Sequence, residues 1–325
     1  MEWFDAHLDL ACIHLNGRDL LKERAEGGLW LPGCVTLPSL RAGGVNRCLA
    51  TVFTESVKPG TALTEDQQYV EGDAAGAHAA GARQVDLYAR WRAAGVRPRM
   101  GVLMECADPI RDPDELAWWV ERGVVAVGLA WAHQSRFAGG NGVETGLTGI
   151  GRELVAEMDR LGIVHDASHL SERAFWELCD ATDRVIVASH SNCRELNGGE
   201  AIESLGRRQR HLTDSQIKEI TRRGGVIGLN LFSLFLRPNC EEPKRATIAD
   251  CLAHIERVCS IAGSRRCVGL GSDADGGFSS ARLPEGIDGP ADYQKLADAL
   301  AAAGWSAADV EGFASGNWRR MFPTV

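Results

Sequence analysis

GRELVAEMDRLGIVHDASHLSERAFWELCDATDRVIVASH, residues 151–190, reads as two helix–strand units in succession. In its first part Leu154, Val155, Met158 and Leu161 recur with the period that gives a helix one apolar face. Gly162 stops that period, and the short apolar run GIVHDASH follows at once. ERAFWELCDAT and VIVASH repeat the unit, and DSQIKEITRRG with GVIGLN (residues 214–230) repeats it again. Strands that alternate with helices are joined by crossovers rather than hairpins, so they pair in parallel and the helices cover the sheet.

Outward from this stretch the same kind of run occurs eight times: FDAHLDL from Phe4, VNRCLATVF from Val45, MGVLME from Met100, VVAVGLAWAH from Val124, GIVHDASH, VIVASH, GVIGLN and VGLGSD from Val268. Most are too short for helices, and each stops at or beside a polar residue. Eight such strands predict an α/β fold, a (β/α)8 TIM-type barrel. The 325 residues are long for one domain, but barrels reach this size through insertions, so residues 1–325 are read as a single domain with long βα loops. Helix starts are expected at Thr64 with Gln67, Thr213 with Gln216 and Ser306 with Asp309, and helix ends at Gly162, Gly224 and Gly304. Gly60 to Gly95 reads as one long Ala-rich helix. The Arg-rich stretch from Asn192 to Leu212 reads as a loop able to cover a site.

A net charge of −9 argues against nucleic acid, whose phosphates require clustered Lys and Arg; Arg207, Arg208 and Arg210 are too few to reverse it. Ten cysteines with no C-x-x-C pair read as free thiols in a reducing compartment. The acidic start MEWFDAHLDL does not resemble a secretory signal, and no apolar segment approaches the roughly 20 residues of a membrane span. A soluble, cytoplasmic protein without a membrane partner is expected.

In a barrel of this type the polar residues at the strand ends converge on one mouth. His7 and Asp9, two apart on the first strand, point to one face and can reach one metal. Glu105, ending the third, can give one oxygen to each of two cations. His169 and His190 end the fifth and sixth, and neutral imidazoles suit zinc. Two metals would activate a water and polarise a carbonyl. Asp273, ending the eighth strand, is placed for proton transfer, with Asp275 a near neighbour that could be confused with it. His133, read as ending the fourth strand, could donate to a developing oxyanion. His14, His78, His165 and His254 lie off the pattern, His165 being the nearest competitor. Trp118, Trp119, Trp131, Trp176 and Cys106 read as packing.

These residues resemble the membrane (renal) dipeptidase family of binuclear zinc peptidases, amidohydrolase-like barrels. The resemblance covers nearly the whole chain and rests on His7-x-Asp9, GVLMECADPI around Glu105, DASH at His169, ASHSN at His190 and GLGSDADG at Asp273. It implies two zinc ions as cofactors, one held by His7 and Asp9 and the other by His169 and His190, with Glu105 bridging. It further implies that His133 contacts substrate near the scissile carbonyl, that Asp273 shuttles the proton, and that Arg210 pairs with the substrate's free carboxylate, as a guanidinium fork can. Arg207 and Arg208 leave the choice of arginine open. Where the family usually has Asn, Gly and Asn, this chain has Leu8, Cys106 and His211, which puts substrate preference in question rather than reaction type.

The leading expectation is therefore hydrolysis of dipeptides, those with a C-terminal D-residue included. A lactone, N-acyl amino acid or other small amide on the same site stays open, as does a barrel that binds ligand without catalysis. The expected partner is a small dipeptide, and a homodimer is left open.

Overall fold

The eight apolar runs form the eight strands of one parallel sheet in a computed structural model that describes residues 1–240 and 242–325. In chain order the strands are β1 (Trp3–Leu8), β2 (Val45–Val52), β3 (Glu55–Val57), β4 (Gln68–Val70), β5 (Arg99–Met104), β6 (Val124–Gly128), β7 (Val164–Asp166), β8 (Ile186–Val187), β9 (Ile227–Leu229) and β10 (Val268–Leu270). The large sheet runs β8-β7-β6-β5-β2-β1-β10-β9. A parallel bridge between Ala188 and Ile227, with Gly228 N donating to Ala188 O at 2.8 Å, returns β9 to β8 and closes the ring. The fold is thus the α/β barrel expected.

β3 and β4 form a separate two-stranded sheet, and they overturn the helix expected from Gly60 to Gly95. The helix begins only at Ala74 and runs to Ala93, with the Asp73 carboxylate accepting from Gly76 N at 2.9 Å. Thr64 caps nothing; its N–H donates to Gln68 Oε1 at 3.0 Å. The alanine run that suggested a long helix starts at residue 74, whereas the residues before it are polar turn formers around a buried Tyr69. The other two starts form as expected: Thr213 and Gln216 make a reciprocal capping box, and Ser306 accepts from Asp309 N. Gly162 ends its helix in the left-handed conformation, φ 70°.

Two apolar layers hold the barrel. The larger lies between strands and covering helices. The smaller fills the barrel itself: Phe4, Leu49, Leu103, Ala126 and Val187 meet Trp318, Phe322 and Val325, which follow the last strand and plug the end opposite the mouth. Trp318 fits because Gly269 has no side chain; a Cβ there would lie 2.3 Å from Trp318 Nε1. That indole nitrogen donates to Leu270 O at 2.9 Å. The plug leaves the carboxyl ends of the strands as the open face. All ten cysteines are unpaired. Among the described residues no helix is long and apolar enough to cross a membrane.

Candidate metal centre

Six of the strand-end residues meet at the barrel mouth. His7 Nε2 lies 3.5 Å from Glu105 Oε2, 3.7 Å from Asp9 Oδ1 and 3.9 Å from Asp273 Oδ1. On the other side Glu105 Oε1 is 3.2 Å from His169 Nε2 and 3.5 Å from His190 Nε2, and the two imidazole nitrogens are 3.0 Å apart. Donor atoms around a tetrahedral cation with bonds near 2.1 Å are separated by about 3.4 Å, so both groups have the spacing of a ligand shell. Glu105 turns one oxygen to each. His7 Nε2 is buried without a hydrogen-bond partner, an orphan that a cation would satisfy.

Asp9 is not a strand residue, as its spacing from His7 implied: β1 ends at Leu8 and Asp9 opens the next helix. It still reaches the group, held by the Thr51 hydroxyl, which donates to its Oδ1. The histidines are oriented by groups behind them. Ser189 Oγ donates to Asp166 Oδ2 at 2.5 Å and so accepts from His190 Nδ1 at 2.8 Å. Asn141 Oδ1 accepts from His169 Nδ1 at 3.0 Å. Both bonds put the ring proton on Nδ1 and leave the Nε2 lone pair for the mouth. His169 and Asp273 have positive φ, 68° and 58°, a conformation uncommon outside glycine and found where a site requires it.

The electrostatics fit the same reading. Burial opposes charge on His7, but Glu105, Asp9 and Asp273 overcome it and raise its pKa to about 10. Burial raises Asp273 to about 8, with Asp9 and Glu105 adding to the rise against His7 and Arg210. Burial and Glu105 raise Asp9 to about 6. His7, Asp9 and Asp273, in a dry pocket around the ionised Glu105, hold protons more tightly than usual, and divalent cations would replace them. Asp273 Oδ2 accepts from Asn230 Nδ2 at 2.8 Å, so its Oδ1 is the oxygen turned to the group.

The mouth opens into a cavity of about 390 Å³ lined by Asp9, Glu105, His169, Asp273 and Arg210 among others. Of the three arginines considered, Arg210 is the one in the cavity. Its guanidinium is buried and donates to Ser191 Oγ at 3.0 Å and His190 O at 2.8 Å, while its Nε has no partner. Arg208 lies 3.9 Å from Glu200 instead.

His133 is not where the sequence put it. β6 ends at Gly128, and His133 is exposed in the loop beyond, beside a narrow crevice with Tyr69, Cys106 and Asp108 rather than in the cavity. Trp131, read as packing, is the residue of that loop that lines the cavity, its ring 6.0 Å from that of His169. The competitors fall away: His165 Nε2 bonds Asp159 at 2.7 Å, and Asp275 is buried against Arg18 and the Cys34 and Val35 N–H groups. Leu8 packs in the outer core, and His211 Nε2 meets Asn197 Nδ2 at 3.0 Å. Asp166, Asn141 and Asn230 were missed. Asp166 stands in DASH and Asn230 ends a strand run, which is a signal of place but not of partner.

Comparison with known proteins bears on the fold and the family. A protein of Klebsiella pneumoniae described as an uncharacterized protein in the pqqA 5′ region is 30% identical over 211 residues, 62% of this chain and 73% of its own length. An uncharacterized dipeptidase of Schizosaccharomyces pombe is 33% identical over 157 residues, 48% of this chain and 33% of that relative. The crystal structure of a metallopeptidase named dipeptidase AC superposes with a TM-score of 0.81 at 25% identity, covering 99% of this chain and 97% of the other. A Rhodobacter sphaeroides metallopeptidase liganded with a phosphinate mimic of L-Ala-D-Ala shares the fold, with a TM-score of 0.82 at 24% identity over 99% of both chains. The family model for membrane dipeptidase, peptidase family M19, matches residues 1–325, and the protein belongs to that family.

Proposed function

We propose that this protein is a dipeptidase that holds two zinc ions, one between His7 and Asp9 and one between His169 and His190, with Glu105 shared. The observation that carries the reading is the division of Glu105, whose Oε2 faces His7 while Oε1 faces His169 and His190. When bound, the ions would lower the pKa of a water and polarise the scissile carbonyl. The chain's own groups do the rest. Arg210 has a buried, partly unpartnered guanidinium in the cavity wall, suited to a substrate's terminal carboxylate. Asp273 Oδ1 takes the proton from the attacking water and delivers it to the leaving amine, while Asn230 fixes the carboxyl through Oδ2. The cavity volume suits a molecule of dipeptide size rather than a folded chain. The unpaired cysteines support a reducing compartment such as the cytoplasm.

Metal analysis joined to a panel of L,L and L,D dipeptides, each assayed with and without chelator, tests the proposal. Two zinc ions per chain and turnover that chelator abolishes and zinc restores are expected. Metal-replete protein that cleaves no member of the panel would refute it.

A further inference from the structure

The cavity has a second charged region that the metal centre and Arg210 do not use. Glu55, which opens β3, and Glu65, in the turn before β4, both line it. Among the described residues neither forms an ion pair with a lysine or arginine. Gln67 Nε2 donates to Glu65 Oε2, and His133 is the imidazole near Glu55. Burial and the neighbouring Glu65 push the Glu55 carboxyl above the usual range, outweighing the hydrogen bond from Gln68 and the nearby His133.

Topology fixes where this region sits. In the closed ring β2 stands four places from β8, directly across the barrel. Glu55 and Glu65 belong to the segment that follows β2, whereas Arg210 is tied by hydrogen bonds to His190 and Ser191 just past β8. Independently of the acids, the orphan Nε of Arg210 calls for a carboxylate at the far wall. Apart from His190, which follows β8 itself, the metal groups come from strands between the two walls. A substrate whose terminal carboxylate rests on Arg210, with its peptide bond over the metal groups, therefore extends its first residue toward β2. There Phe53 and Trp131, rings 5.1 Å apart, give apolar and aromatic faces beside the two carboxylates.

We infer that Glu55 and Glu65 are specificity-determining residues, which select dipeptides whose first residue carries a cationic side chain, lysine or arginine. The inference rests on the dipeptidase reading above. Divalent ions would balance Asp9, Glu105 and Asp273, and the substrate carboxylate would balance Arg210. Glu55 and Glu65 remain. A lysine or arginine stem can lie along the Phe53 and Trp131 rings and place its charge between the two acids. A first residue with an uncharged side chain brings only its α-ammonium toward the two acids and would leave one carboxylate uncompensated.

The test is a dipeptide series with a constant second residue and Lys, Arg, Leu, Ala or Glu first, assayed on zinc-replete protein. The expected kcat/KM for Lys and Arg exceeds that for Leu by about tenfold or more, mainly through KM, and the margin narrows at high salt. In Glu55→Gln/Glu65→Gln the ratio of Lys to Leu falls toward one; Glu55→Lys shifts the preference toward Glu. Equal turnover of Lys and Leu substrates by the unaltered protein would overturn the selectivity while leaving the dipeptidase reading intact. A ratio unchanged in the double variant would overturn the assignment to these residues. Should that variant not fold, the ratio and its salt dependence in the unaltered protein decide. Cleavage of no dipeptide at all would remove the dipeptidase reading and this inference with it.

Discussion

Arg210 and Asp273 share one cavity, and in the proposed reaction they carry separable duties. Replacing Arg210 by Met removes the only arginine lining the cavity among the described residues, yet touches no metal-facing atom. Losing one partner of a buried charge pair costs about 2–5 kcal/mol. KM for dipeptides is therefore expected to rise by about two orders of magnitude, with kcat changed far less, and initial-rate kinetics would show it. Asp273→Asn keeps the shape but removes the proton acceptor. It should lower kcat by roughly 10²- to 10⁴-fold while elemental analysis still finds metal, because the groups His7, Asp9, Glu105 and Glu105, His169, His190 stay complete. If kcat survives, proton transfer lies elsewhere. At this scale the sequence was readable wherever a residue follows a strand closely enough to be carried to the mouth, as for Glu105 and His190. It was silent on Asn141 and Asn230, whose roles depend on partners 28 and 43 positions away. His133 misled because the end of its apolar run, AWAH, continued past the point where β6 stops at Gly128.

Elements were more legible than residues, because strand and helix periods are local. Six barrel strands lie within the apolar runs and β1 and β5 start one residue before theirs, whereas β3 and β4 were hidden: each has three residues, mostly half-buried, with no alternation long enough to read. The plug beneath the barrel was also invisible, since nothing in NWRRMFPTV announces that Trp318 will enter a ring of strands. Its contribution follows from its burial. Trp318 is 0% exposed, packs on Phe4 and Phe322, and satisfies its indole nitrogen on Leu270 O. Trp318→Ala should cost about 3–5 kcal/mol in urea unfolding. Gly269→Ala, by forcing a methyl against the same ring, should cost about 1–3 kcal/mol. A Gly269→Ala protein as stable as its parent would mean that the plug can shift without loss. Both changes lie at the closed end, so zinc content of the folded fraction should be unaffected.

The whole molecule couples the charge of its mouth to its stability. Without metal, Asp9, Asp273 and His7 all have pKa values above those of an unfolded chain, at about 6, 8 and 10. A group with a raised folded pKa stabilises the fold fully below its unfolded pKa and loses that contribution as pH climbs through the folded one. Asp9 has given up its share by neutral pH; Asp273 gives up the last of its share by about pH 8, and His7 goes on losing its own up to about pH 10. His169, lowered to about 4, and His190, lowered well below its ordinary value, act only on the acid side of about pH 6.5 and leave this window untouched. Glu105, held far below its ordinary range, is ionised throughout. Chelated protein should therefore melt at progressively lower temperature as pH rises from 7 to 9. Zinc should reverse the trend, because cations take the place of the protons and bind more tightly as those protons leave. The gap in melting temperature between zinc-loaded and chelated protein is expected on the order of 5–10 °C at excess metal, and wider at pH 9 than at pH 7. Thermal scans of both forms across that range measure it, and a gap that narrows with pH would show that the carboxylates at the mouth are balanced by something other than metal.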